Sequence, residues 1–485
     1  MKRQVRRLGL AVLVLYGALF VQLNVVQVLR ADEYNAHPAN TRAVLRDFGR
    51  ARGDIVTADG AVLARSVPDD GPFDRRREYP EGNLFGHLTG YFSFTYGSDG
   101  VEKTYNEELA GRKAAGNLAD LADLLLDDEV TNDVVLSLHK SVQEVARNEL
   151  GERRGSVVAL DPRDGSILAL WSFPSYDPTA ISAPSREDAE RGRALLLLAE
   201  GNPLLARSYR ETFFPGSTFK VVTAAAGLLS GVTPEQPVYP TEREFVPPET
   251  TAPIRNFGGA TCGGNLVEIL RVSCNTAFAR MGVDVGAERL VGTAEAFGFN
   301  ERPPLDLPAA AASRIQDLEF FATNRALLGQ TGIGQNTMRA TPLQMAMIAG
   351  AIGNGGKVMV PHVLKEIVNE DGEVVRRARP EVWKEAVPAD VADTVRLAMI
   401  ETAQQGTARG LQVEGVTTAG KTGTAQTGAG TSHAWIIGFA PAEAPRVAVA
   451  VIVEGQPGAS EQTGGRVAAP IGRAVLQAAL AVVPE

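Results

Sequence analysis

Pro215-Gly216-Ser217-Thr218-Phe219-Lys220 sets a hydroxyl and an amine three residues apart, directly after a Pro-Gly break. Side chains at i and i+3 share one face of a helix, so Lys220 is placed to take the proton of Ser217 and make it a nucleophile. A helix starting here would also turn its first free N–H groups toward the serine, where they suit a developing oxyanion. Ser273-Cys274-Asn275 follows some 56 residues on, and Lys421-Thr422-Gly423-Thr424 comes late in the chain. The last motif lies in a run that reads as a strand, and its glycine lets a substrate backbone come close. Hydroxyl, amine, amide and a second amine together suit acyl transfer through a covalent intermediate.

Each motif alone is weak. Eighteen serines and nine lysines in 485 residues give about 0.3 chance matches to Ser-x-x-Lys. Ser137-Leu138-His139-Lys140 is such a match and reads as a strand-to-helix junction with a surface lysine. The ordered set of three motifs is what singles out Ser217.

The elements that must position them are legible in outline. Arg52 to Ala64 has two apolar runs around Asp59-Gly60, a pair that favours a type I′ hairpin with positive φ at both central residues. Ser141 to Gly155 has a helical pattern ending at glycine, and Ser156 to Trp171 forms a second hairpin around Asp164-Gly165. Residues 180–350 are rich in Ala and Leu at helical spacing. Three late strands, VTTAGKTGTAQT, HAWIIGFAP and RVAVAVIVEG, precede a closing amphipathic helix over Ala468 to Val483 with Pro470 near its first turn. Two strands, a helical insert, three strands and a helix predict an α+β domain: a five-stranded antiparallel sheet covered by helices.

The compartment is set by Leu8 to Leu29, 22 residues without a charge and long enough to span a bilayer. Lys2, Arg3, Arg6 and Arg7 precede it, which keeps the N-terminus cytoplasmic and the rest outside. No small-x-small cleavage site follows, so the segment reads as a retained anchor. The predicted division is a cytoplasmic tail over 1–7, an anchor over 8–29, a mixed α/β non-catalytic pedestal over 30–128 and the catalytic domain over 129–485. The acidic stretch Leu118 to Asp133 reads as the junction.

Composition excludes other classes. The net charge of −9 argues against a nucleic-acid protein, and Arg75-Arg76-Arg77, flanked by Asp74 and Glu78, reads as solvated surface. Two cysteines rule out a disulfide-stapled scaffold and a multi-thiolate metal site. Five histidines stand singly, so neither a metal nor another cofactor is expected.

The ordered Ser-x-x-Lys, Ser-x-Asn and Lys-Thr-Gly set occurs in penicillin-binding proteins and class A β-lactamases. The chain resembles a class B penicillin-binding protein, a membrane-anchored peptidoglycan D,D-transpeptidase, over nearly its whole length. RGDIVTADGAVLA and GSDGVEKTYNEELAG resemble the pedestal of that family, with its dimerisation-like domain, and TGIGQNTMRATPLQMA and HAWIIGFAP its transpeptidase domain. SCNTAFA and NFGGATCGG look closest to the actinobacterial PbpA-like branch. About 100 residues of pedestal leave no room for the glycosyltransferase domain of bifunctional members.

The resemblance implies that Ser217 attacks the penultimate D-Ala carbonyl of a stem peptide, with β-lactams as covalent inhibitors. Lys220 would be the base, provided burial and the second cation Lys421 favour its neutral form. Ser273 would relay a proton to the leaving amine, and Asn275 would bind the substrate amide. Lys421, Thr422 and Thr424 would hold the terminal carboxylate beside Gly423, and the N–H groups of Ser217 and Thr424 would form the oxyanion hole. The implied partner is a SEDS-family glycosyltransferase, with other wall-synthesis proteins. His433 and Trp435 read as packing, and Glu102 as a salt bridge or cap. Phe213-Phe214 departs from relatives that carry a tyrosine or acidic residue there. Cys274 should face away from the cleft, and two states stay open for it: a bridge to Cys262 in an oxidising compartment, or two buried thiols. A hydrolase on the same fold, either a D,D-carboxypeptidase or a β-lactamase, is the alternative, but this chain has no Glu-x-x-Leu-Asn pattern between Asn275 and Lys421 for the glutamate that a class A β-lactamase needs. A β-lactam sensor would need a cytoplasmic signalling part, and a scaffold would not need all three motifs.

Overall fold

The computed structural model describes residues 2–30, 48–71, 73–111, 131–336, 338–427, 430–455 and 463–484. Helix α1 (Lys2–Asn24) runs on into one wider turn, Val25–Leu29. Within it Arg6–Val28 has a mean hydropathy of 2.1 and no buried part, which makes it long and apolar enough to cross a membrane.

The chain then gives β1 (Ile55–Val56), β2 (Val62–Pro68) and β3 (Arg75–Glu78). After them come β4 (Asn132–Leu136), α2 (Lys140–Leu150), β5 (Gly155–Leu160) and β6 (Ile167–Phe173). The helical part holds α3 (Lys220–Leu228), α4 (Leu266–Arg271), α5 (Asn275–Ala296) and α6 (Pro342–Gly353). Next are β7 (Leu364–Asn369), β8 (Val374–Arg377) and α7 (Ala389–Gln405). The chain closes with β9 (Ala419–Gln426), β10 (Ser432–Ala440), β11 (Val447–Val453) and α8 (Ala469–Val482).

The central sheet has the order β9-β10-β11-β5-β6, antiparallel throughout. Every residue of β11 is buried, as its unbroken VAVAVIV sequence requires of a strand covered on both faces. α6 lies on one face, its Gly350 against Leu160 and Ala448, while α8 lies on the other, its Gly472 against Ile436 and Val449. β9 is the sheet edge, so one side of its backbone is open to an extended peptide.

Three sequence expectations are corrected here: the turn type at Asp59-Gly60, the end of α2 and the exposure of Arg77. The membrane-proximal sheet, in the order β8-β7-β4-β1-β2-β3, takes β4 from just beyond residue 128 and β7 and β8 from far along the chain. A two-residue β1 leaves polar edge groups that β4 satisfies by parallel pairing. The junction expected over 118–133 lies outside the described residues except for 131–133.

The hairpin at Asp59-Gly60 forms, but only Gly60 has a positive φ, at 82°, so its turn is not type I′. The Asp59 carboxylate instead accepts the N–H groups of Lys140 at 2.9 Å and Ser141 at 3.3 Å, capping α2 from the neighbouring sheet. α2 stops at Leu150, before Gly151 at φ 59°, rather than at Gly155, which opens β5.

Arg77 is not solvated. It and Arg52 close on the fully buried Glu102 at 2.6 and 2.7 Å, while Arg75 is half-buried and Arg76 alone of the triplet is exposed. Glu102 is therefore a structural ion-pair centre.

Candidate active site

The turn that carries Ser217, the expected nucleophile, is Gly216–Phe219, a 3₁₀ segment running directly into α3. At three residues per turn i and i+3 positions line up, so Ser217 and Lys220 start from one side of the turn. Gly216 has φ 55°, a conformation that favours glycine, and an added Cβ there would meet Ala425 and the Thr424 carbonyl at 3.1 to 3.2 Å. The Gly216 N–H donates to Gly334 O at 2.9 Å. At Gly423 a Cβ would lie 2.9 Å from the Pro215 carbonyl and 3.0 Å from Thr218 Cγ2. The missing side chain on β9 is thus the space into which the nucleophile turn docks.

Ser273 ends the loop after α4 and has φ 59°, a left-handed conformation costly for a non-glycine residue. Its neighbour Cys274 is buried, turned away from the hydroxyl and joined to Cys262 in a disulfide. Ser273 Oγ sits between two amines, accepting from Lys421 Nζ at 2.8 Å and from Lys220 Nζ at 3.3 Å. Lys220 Nζ also donates to Ser273 O at 2.8 Å and Asn275 Oδ1 at 2.6 Å. Lys421 Nζ also donates to Thr422 O at 2.9 Å.

Both amines are fully buried. Burial, and then the charge of Lys421, hold Lys220 well below the ordinary lysine range. Burial brings Lys421 down to about 7. A neutral Lys220 has two N–H groups and a lone pair, so it becomes a proton acceptor on giving up one of its three donated bonds, whereas an ordinary lysine titrating near ~10.4 stays charged.

The Ser217–Lys220 contact expected from spacing is absent: among the described residues Ser217 Oγ makes no hydrogen bond, and Lys220 is turned onto Ser273 and Asn275. Catalytic contacts are commonly loose before substrate arrives and tighten in the complex. Asn275 is committed on both sides, since its Nδ2 donates to Arg255 O at 2.9 Å. Ser137 is buried with its hydroxyl on Ile167 O and Val363 O, and Lys140 pairs with Glu81, so that Ser-x-x-Lys match is structural.

Two further residues support the site: Asn256, not picked out from sequence, and Trp435, read there only as packing. Asn256 Oδ1 accepts the N–H groups of Asn275 at 2.9 Å and Thr276 at 3.0 Å, capping α5 where the Ser-x-Asn motif enters it. It stands in NFGGATCGG, so its residue type and loop position were the available signal. Trp435 Nε1 donates to Phe214 O at 3.0 Å, and Phe213 packs edge-on against both Trp435 and His433.

Two buried amines flanking the Ser273 hydroxyl, beside a helix start that carries a second serine and an edge strand that carries Lys-Thr-Gly, are the site of a serine acyl-transfer enzyme. Residues 155–477 match the penicillin binding protein transpeptidase domain, and residues 52–135 match the penicillin binding protein A dimerisation domain. The chain belongs to the penicillin-binding protein transpeptidase family. It is 38% identical to the peptidoglycan D,D-transpeptidase PbpA of Mycolicibacterium smegmatis, covering 99% of each chain. Identity to the PbpA of Mycobacterium tuberculosis is 37%, again over 99% of each. The ceftriaxone acyl-enzyme complex of M. tuberculosis penicillin-binding protein A superposes with a TM-score of 0.83 at 36% identity, covering 90% of this chain and 100% of that one.

Proposed function

We propose that Ser217 is the acyl carrier of this peptidoglycan D,D-transpeptidase, and that β-lactams acylate the same oxygen. The observation that carries the assignment is Ser273 Oγ held between two buried amines at 2.8 and 3.3 Å, beside the turn that presents Ser217. Ser217 Oγ attacks the penultimate D-Ala carbonyl while neutral Lys220 takes its proton. The oxyanion is held by the N–H groups of Ser217 and Thr424. The tetrahedral intermediate breaks its C–N bond and expels D-Ala, whose amine gains a proton through Ser273 from the lysine pair. An amine from a second strand then attacks the ester, Ser217 recovers its proton, and the cross-link is formed. Asn275 holds the donor amide. Thr422 and Thr424 hold its carboxylate, with the Lys421 charge behind them and Gly423 leaving the approach open.

Residues 8–29 anchor the enzyme in the membrane with residues 1–7 in the cytoplasm and the remainder outside, as the cationic flank favours. The catalytic domain begins near residue 129, and its excursion through β7 and β8 completes the pedestal sheet. Through anchor and pedestal the enzyme meets a SEDS-family glycosyltransferase that supplies the glycan. The test is labelling of the full-length protein with fluorescent penicillin. Label lost in Ser217→Ala and kept in Ser137→Ala supports the assignment; a folded wild type that takes no label overturns it.

A further inference from the structure

Thr407 stands just past the end of α7, exposed, and outside the three motifs. It touches both walls of the cleft. Its backbone N–H donates to Arg271 O at 3.2 Å, at the last residue of α4, two positions before Ser273. Its Oγ1 accepts from Thr422 Oγ1 at 2.7 Å, on the open edge strand. Thr422 is itself almost fully buried, 7% exposed, so Thr407 rather than solvent is the partner of its hydroxyl.

We infer that Thr407 is a positioning residue for the carboxylate of the acyl donor, acting through Thr422. The inference rests on the transpeptidase reading above. Lys421 Nζ already spends two donors on Ser273 Oγ and Thr422 O, so direct hydrogen bonds to an incoming carboxylate fall largely to the threonine hydroxyls. A hydroxyl has one O–H and can accept as well as donate. In the free enzyme the Thr422 proton points at Thr407. When a carboxylate arrives, the pair reverses: Thr407 donates to Thr422 Oγ1, and Thr422 turns its proton onto the carboxylate. Two hydroxyls in series polarise one another, and the anion at the end of the chain gains most from it. The Arg271 bond fixes Thr407 to the Ser273 wall, so the carboxylate site and the proton relay share one brace.

The test is acylation of the full-length protein, followed by intact mass, with benzylpenicillin and with its methyl ester, which has no carboxylate. Thr407→Val keeps the shape and the backbone bond to Arg271 but removes the hydroxyl. It is expected to lower the second-order acylation rate with benzylpenicillin about tenfold and with the ester less than about twofold. Thr407→Ser restores the rate with benzylpenicillin to within about threefold of wild type. An equal loss on both compounds would mean that Thr407 only packs against α4, and no loss or a gain with benzylpenicillin would mean that Thr422 needs no partner; either result overturns the inference alone. Wild type that takes no acyl group at Ser217 overturns the transpeptidase reading and this inference with it.

Discussion

Trp435 Nε1 donates to the Phe214 carbonyl at 3.0 Å, tying the second strand of the sheet to the peptide three residues ahead of the nucleophile. Trp435 is paired with Gly423 across β9 and β10, and the tryptophan Cβ lies 3.0 Å from where a Gly423 side chain would start. The indole reaches the nucleophile turn past the one residue of the Lys-Thr-Gly motif that leaves room. A residue of the second strand is thereby tied to the turn that carries Ser217.

Trp435→Phe removes that donor and leaves the Phe214 carbonyl short of a partner. Chemical denaturation should show a loss of about 1–2 kcal/mol. Acylation by benzylpenicillin should slow beyond what the stability loss explains, because the Ser217 turn loses a fixed point. An unchanged acylation rate would remove Trp435 from the positioning of Ser217.

Gly423→Ala puts a methyl 2.9 Å from the Pro215 carbonyl, closer than a real Cβ approaches backbone. The nucleophile turn must back away from β9, and a misplacement on the order of 1 Å costs roughly a hundredfold in rate. Circular dichroism should stay native while penicillin labelling falls by that order. Full labelling of the alanine variant would show that the turn has slack.

The buried lysines make stability depend on pH. Lys421 titrates at about 7 in the fold against 10.5 ordinarily, and Lys220 is lowered too. Between about 7 and 10.5 the unfolded chain therefore binds more protons than the native one, and stability rises with pH across that window. Urea titrations at pH 7 and 9 should show the rise in wild type and a smaller one in Lys421→Met. Equal slopes would contradict a depressed Lys421.

Glu102→Gln leaves Arg52 and Arg77 buried without their counter-charge. Removal of one member of a buried ion cluster typically costs about 3–5 kcal/mol. The loss should appear as a lower denaturation midpoint of the full-length protein, with Ser217 labelling retained at low temperature. A midpoint within error of wild type would show that the cluster is not fully desolvated.

The Cys262–Cys274 bridge closes a short loop whose far end is one residue from Ser273. Loop closure of that size is worth roughly 3 kcal/mol in the chain-entropy account. Cys262→Ala with Cys274→Ala should lose stability of that order, and thiol alkylation of the denatured, unreduced wild type should add no label. Two labels would mean that the cysteines are free.

The sequence by itself determined the chemistry and the class of fold. Ser-x-x-Lys, Ser-x-Asn and Lys-Thr-Gly are local strings, and their order along the chain is enough to mark a serine acyltransferase. Alternating and continuous apolar runs give the five strands because the period of burial is written residue by residue. The span over 8–29 is likewise a property of composition alone.

Tertiary structure decided what depends on neighbours distant in the chain. Arg77 lies in an outwardly charged triplet, yet it is buried because Glu102 and Arg52 meet it from other segments. β4 pairs with β1, β7 with β4 and β8 with β7, so one sheet is assembled from segments far apart in the chain, which no local pattern encodes. Lys220 turns to Ser273 and Asn275 because those groups converge on it across 53 and 55 residues, whereas spacing could only pair it with Ser217. Thr407 lies in no motif and Trp435 read only as packing; what they do follows from contacts of 2.7 Å to Thr422 and 3.0 Å to the Phe214 carbonyl.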